Sequence, residues 1–121
     1  MKSGIKKFNK FNNLGYKGLY NGEIANDIAK RMKLRYREDI LDNMGSTELV
    51  ANLFRLTQTE DKLKKDKIQG ESEANKTHYE VGKKIRKIIK ELGGTIPEYL
   101  LTPNKNLKEL EKESFIYQIL K

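Results

Sequence analysis

The residues of this chain best equipped for chemistry are cations set among aromatic rings. Across residues 1–37, Lys2, Lys6, Lys7, Lys10, Lys17, Lys30, Arg31, Lys33, Arg35 and Arg37 oppose only Glu23 and Asp27. The whole net charge of +8 sits in this first third, because residues 38–121 carry fifteen basic and fifteen acidic groups. A field of one sign attracts polyanions, and their counterions are released on binding. Phe8, Phe11, Tyr16, Tyr20 and Tyr36 lie in the same segment, five of the ten aromatic residues. Interleaving of this kind suits a single strand, whose unpaired bases stack on rings while its phosphates meet lysines. The nucleic-acid-binding candidates are Lys6, Lys7, Lys10, Phe11, Tyr16, Lys17, Lys30, Arg31, Lys33, Arg35 and Arg37. A solubilising basic segment whose rings pack on helices has the same composition.

A second basic element is KKIRKIIK at 83–90. On a helix, Ile85, Ile88 and Ile89 turn inward while Lys83, Lys84, Arg86, Lys87 and Lys90 fan outward. Such a face can contact phosphates, or act as a calmodulin-like or membrane-surface helix. It can equally be a solvated face, braced by the favourable Glu80–Lys84 pair at i,i+4. Membrane binding is not expected, since the isoleucines are needed for packing.

Reaction chemistry finds little support. His78 is the single histidine, and its place on an apolar stripe predicts a hydrogen-bonded packing role. Nothing offers it a co-ligand for a metal, and the absence of cysteine removes thiolate catalysis and sulfur-bound zinc. Glu48, Glu60 and Asp61 do not converge, because neighbours in sequence face apart on a helix. The glycines match neither the P-loop nor the dinucleotide fingerprint. The expectation is a protein without enzymatic activity, cofactor or metal.

The elements that must hold these residues read as helices. Residues 1–22 contain the turn formers Asn9, Asn12, Asn13, Gly15 and Gly18, which predict an irregular basic arm ahead of a helical domain over 23–121. After an Asn21-Gly22 turn, Ile24, Ala25, Ile28, Ala29 and Met32 share one helical face. Tyr36, Ile40, Leu41 and Met44 predict a second short helix stopped by Gly45 at C′. This pair is either a helix-turn-helix with Tyr36 and Arg37 near a groove or a plain helical corner.

Ser46 is placed as an N-cap, with Glu48 suiting the positive end of the dipole. Leu49, Val50, Leu53, Phe54, Thr57 and Leu63 then mark a helix to about Ile68. Beyond the Gln69-Gly70 break, Ala74, His78, Val81, Ile85, Ile88 and Leu92 form a seam spaced 4, 3, 4, 3, 4. This helix begins near Ala74, or as late as Thr77 if Thr77 and Glu80 make a capping box. Gly93-Gly94 ends it, and Thr102 with Pro103 at N1 predicts a last helix. An antiparallel hairpin across Gly70 and a homodimer are two ways to cover these stripes. A helix continuous through Gly70 is disfavoured by about 1 kcal/mol. The fold class is therefore all-α, a helical hairpin or bundle.

At 121 residues, 36% hydrophobic, the chain fits one domain with a thin core. No run approaches a membrane span, and the start MKSGIKKFNKFNN lacks the apolar stretch of a signal peptide. With no cysteine either, a soluble, cytoplasmic protein is expected.

One long composite pattern goes further. It includes Gly15-Tyr16, Gly18-Leu19-Tyr20, Met44-Gly45-Ser46-Thr47-Glu48-Leu49, Ala51-Asn52-Leu53-Phe54-Arg55 and Thr57-Gln58-Thr59-Glu60. Ala74-Asn75, Thr77-His78, Val81-Gly82, Leu92-Gly93-Gly94-Thr95, Pro97-Glu98 and Thr102-Pro103 continue it. In this order the residues resemble the DNA-damage-inducible protein D family of bacteria over roughly Phe11 to Leu110. The resemblance implies expression under the SOS response and a non-enzymatic role around single-stranded DNA or the recombinase filament. A helical protein-interaction or oligomerisation module without direct DNA contact is the alternative. The family also carries an N-terminal domain of Bro type, and this chain is expected to begin downstream of it. Its end, Phe115-Ile116-Tyr117-Gln118-Ile119-Leu120, is more apolar than the charged tail expected of the family.

Overall fold

The computed structural model describes residues 2–36, 39–100 and 115–120, with side chains from residue 6 onward and, at the far end, from residue 118. Its α-helices are α1 (Lys2–Leu19), α2 (Ala25–Arg31), α3 (Ser46–Lys65), α4 (Glu71–Glu91) and α5 (Phe115–Leu120). Single 3-10 turns form at Leu41–Asn43 and Pro97–Tyr99, and no strand occurs among the described residues. The fold is all-α. No helix among them is long and apolar enough to cross a membrane. The helix expected from Thr102 and Pro103 starts outside the described residues.

The centre is the hairpin of α3 and α4. Twenty residues make α3 about 30 Å long. It ends where Lys67 turns left-handed at φ +51° and the Ile68 N–H donates to Leu63 O at 3.0 Å. Gly70, at φ +92°, is the N-cap of α4, a backbone conformation that glycine adopts without Cβ strain. The chain therefore reverses at Gly70, as the hairpin reading requires. The helix then starts at Glu71, earlier than expected, and Thr77 lies within it with its hydroxyl bonded to Glu73 O at 2.8 Å. Gly93, at φ +76°, follows the last turn.

The irregular arm is corrected: residues 2–19 are a helix, and α1 packs along α4 as the most extensive helix pair of the fold. Its asparagines and glycines have tertiary duties instead. Asn13 Oδ1 accepts from the Ala25 N–H at 3.0 Å, which satisfies one of the free donors at the start of α2. The turn that follows α1 is the expected one, with Asn21 at φ +54° and Gly22 at φ +105°. Asp27 then reaches back to the Ile24 N–H at 3.0 Å. The second short helix shrinks to the turn at Leu41–Asn43, too short to read a groove, and Arg37 lies outside the described residues. Gly45 does not stop that turn at C′; it is the N-cap of α3, and Ser46 is the first helical residue.

Tyr16, Leu19, Tyr20, Ala25, Ile28, Ala29, Met32, Ile40, Met44 and Ile85 form the apolar core. Full burial of Leu19 and Ile28 contributes roughly 1.5 to 3 kcal/mol each. The inward face of α3 is a surprise, because its buried positions are Glu48, Asn52, Arg55 and Thr59. Val50, Leu53 and Phe54, expected inside, are 45 to 66% exposed. On α4 the seam holds at His78 and Ile85, whereas Ile88 and Leu92 are surface residues.

Candidate nucleic-acid interface

The site begins with how closely α1 and α4 approach. A Cβ on Gly82 would stand 2.7 Å from Gly15 O and 2.9 Å from Leu19 N, so the two backbones touch there. A Cβ on Gly18 would strike Tyr79 O, and one on Gly15 would strike the His78 ring and Arg55. Small residues on both helices are what permits this separation. The helices run parallel in a constant register. His78 Nδ1 donates to Phe11 O at 2.8 Å and Arg86 donates to Leu19 O at 3.2 Å, each pair being 67 residues apart.

Beneath this contact lies a buried polar network that the sequence reading did not find. The Tyr20 hydroxyl donates to Glu48 Oε2, and Asn52 Nδ2 donates to the Tyr20 oxygen at 3.0 Å. Arg55 donates to Asn52 Oδ1 at 3.0 Å and, through its other terminal nitrogen, to His78 Nε2. Its guanidinium also lies 4.7 Å from the centre of the Tyr16 ring, a cation–π contact. The signal was legible: Glu48, Asn52, Arg55 and Thr59 are spaced 4, 3, 4, a seam in polar letters. A periodicity of apolar residues does not contain it. Burial raises the Glu48 carboxyl and lowers Arg55 from its ordinary value. Glu48 is thus a network acceptor as well as the acidic first-turn residue of α3 that was expected.

His78 has its expected packing role. It is fully buried, with both ring nitrogens engaged, so it cannot reach a substrate. Burial first, and the neighbouring Arg55 charge second, lower its pKa to about 4. From the unfolded value of 6.5 down to about 4, the unfolded chain takes up a proton that the folded chain refuses. This contribution to stability is complete above that window, falls as pH falls through it, and amounts to about 3 kcal/mol. Glu48, raised by burial, acts with the opposite sign, so total stability is a blended readout. The imidazole itself is the clean one. Since His78 is the single histidine, its NMR titration is expected to inflect near pH 4, and an inflection near 6.5 would mean an open ring.

Above the glycine contact the two helices border a pair of clefts. One, about 380 Å³, is lined by Lys17 of α1 and by Tyr79, Lys83, Arg86, Lys87 and Lys90 of α4, among others. The other, about 630 Å³, is lined by Lys10, Leu14, Glu71, Ser72, Asn75, Lys76 and Tyr79. Two lysines of the first basic segment thus meet the second basic element on one surface. Lys76, Tyr79, Lys83, Lys87 and Lys90 are spaced 3, 4, 4, 3, a single stripe along α4. Lys76 and Tyr79 belong to it although neither was among the candidates.

The remaining candidates separate. Lys6, Lys7, Lys30, Lys33, Arg35 and Lys84 are exposed but line neither cleft. Arg31 is paired with Glu23 at 3.0 Å. One aromatic candidate is corrected: Tyr16 is buried in the core and not free to stack on a base. Phe11 is half-buried, with its ring 4.2 Å from that of His78, and lines neither cleft. Arg86 is also corrected, since it does not fan outward. It is buried and bidentate to Glu98 at 2.7 and 2.8 Å, which holds the turn at Pro97–Tyr99 against α4.

Fold and site together define an all-helical module with a polar seam inside and a basic cleft on one surface. Residues 1–110 match the family model described as the DinD C-terminal domain. The chain belongs to that family. It is 54% identical over 101 residues to DNA damage-inducible protein D of Escherichia coli (strain K12), which covers 84% of this chain and 37% of that protein. The chain thus spans little more than a third of its relative's length. No solved structure matches it.

Proposed function

We propose that this chain is a non-enzymatic accessory module of the bacterial DNA-damage response that binds single-stranded DNA, bare or coated by the recombinase. The reading draws on the relative's name and on the resemblance to its family. The observation that carries it is the meeting of Lys10, Lys17, Lys76, Lys83, Lys87 and Lys90 along one α1–α4 surface. From Lys76 to Lys90 the stripe runs about 21 Å along the helix axis. At the stacked spacing of 3.4 Å that is room for about six phosphates, and fewer on a stretched strand.

Contact with four to six phosphates predicts that log affinity falls against log salt with a slope of about −3 to −4. Exchanging Lys83 and Lys87 for alanine should make that slope shallower by about 1.4. Fluorescence anisotropy of a short labelled strand across a salt series measures both. A second reading, a protein-interaction module or homodimer, is favoured by the apolar groove of about 330 Å³ between α3 and α4, lined by Val50, Phe54, Ile88 and Leu92 among others. If low salt yields no binding to the strand while a recombinase filament still retains the protein, this second reading replaces the first.

A further inference from the structure

Phosphate contacts alone would make the α1–α4 surface a site for any polyanion, single or double stranded. One residue on it has other chemistry. Tyr79 lines both clefts and so stands between the Lys10–Lys76 end and the Lys17–Lys90 end. Its ring is only partly buried, and Lys83 Nζ lies 5.4 Å from the ring centre. The other rings among the described side chains are differently placed. Tyr16 and Tyr20 are core residues, Phe11 packs against His78, and Phe8, Tyr36, Phe54 and Tyr99 are exposed but line neither cleft.

We propose that Tyr79 is the seat of an unpaired base, which makes this surface selective for single-stranded nucleic acid; the proposal rests on the nucleic-acid reading above. A phosphate drawn to Lys83 brings its own nucleotide to the ring, because the ammonium lies over the ring and, drawn off toward the phosphate, leaves that face to the base. Stacking on a tyrosine is tolerant of base identity, since every base has a π face. A duplex keeps its bases paired and stacked on each other, so it can offer the lysines its phosphates but not the ring a base. The backbone that carries the ring is also held. Tyr79 O lies too close to where a Cβ on Gly18 would be for one to fit, so the α1 contact fixes that backbone, and less ordering is left for binding.

The test compares a short DNA strand with an abasic strand of equal length, which keeps the phosphates and removes the bases. Anisotropy at low salt is expected to show tighter binding of the strand with bases. Tyr79→Ala should weaken that binding by about tenfold or more and leave the abasic strand unchanged, while Tyr79→Phe, which keeps the ring, should bind as the parent does. A thermal melt checks that Tyr79→Ala is folded. If it is not, the parent's preference between the two strands and the Tyr79→Phe result decide the matter. Equal affinity of the parent for both strands overturns the base seat and leaves the phosphate site standing. An unaffected Tyr79→Ala does the same. Failure to bind either strand overturns both.

Discussion

Gly82→Ala is expected to destabilise the protein by about 3 kcal/mol, although alanine is the better helix former by about 1 kcal/mol. The added methyl would sit 2.7 Å from Gly15 O and 2.9 Å from Leu19 N. Both are backbone atoms of α1, so no side chain can swing aside. Relief requires the two helices to part, and that would also loosen the bonds from His78 to Phe11 O and from Arg86 to Leu19 O. Lys84→Ala, at an exposed position of the same helix, should change stability by less than about 0.5 kcal/mol. Denaturant titration of both variants reads the contrast. A neutral or stabilised Gly82→Ala would mean that the backbones of α1 and α4 are not in contact.

Arg55→Ala should cost about 3 to 5 kcal/mol. The guanidinium is buried, and it supplies donors to Asn52 Oδ1 and His78 Nε2 while covering the Tyr16 ring. Truncation leaves those acceptors in a dry interior without a donor, and an unsatisfied buried group costs more than a made bond contributes. Arg55→Lys should not restore the loss, because one ammonium on a flexible stem cannot reproduce two donors in a fixed fork. A second readout separates this from simple loss of packing. The Arg55 charge is one of the causes that lower His78, so the imidazole titration should move upward in any folded variant lacking it. A variant of unchanged stability and unchanged titration would show that the network is not formed.

How much of this was legible follows from what kind of contact each residue makes. The reversal at Gly70 and the end at Gly93 depend on local backbone chemistry, and they stand where the sequence puts them. The start of α4 does not, because Thr77 and Glu80 have capping-box spacing yet lie inside the helix. The expected irregular arm is a helix for a related reason. Asn13, Gly15 and Gly18 look like turn formers in isolation, but their roles are to bond Ala25 and to admit α4, neither of which is near them in sequence. Similarly, Val50, Leu53 and Phe54 follow the rule that apolar residues turn inward, and the rule fails because Glu48, Asn52 and Arg55 find partners in Tyr20, His78 and one another, although Glu48 Oε1 and Arg55 Nε stay unpaired. Of the basic candidates, Lys10, Lys17, Lys83, Lys87 and Lys90 come together along α1 and α4, and Lys6, Lys7, Lys30, Lys33, Arg35 and Lys84 do not. Charge can be counted along a chain, but which lysines share a cleft depends on the register of two helices that no local pattern states.

That register also sets the order in which the molecule can assemble. α3 and α4 meet across a tight reversal, so their contacts close short loops and can form as soon as both helices exist. The partners of α1 lie 67 residues away, and closing a loop of that size carries a larger entropic cost before any contact repays it. α1 is thus made before α4 and must wait for the seat that α4 provides. Until α4 has emerged, the Gly15 and Gly18 surface has nothing to rest on, and the completed hairpin provides the template onto which it docks.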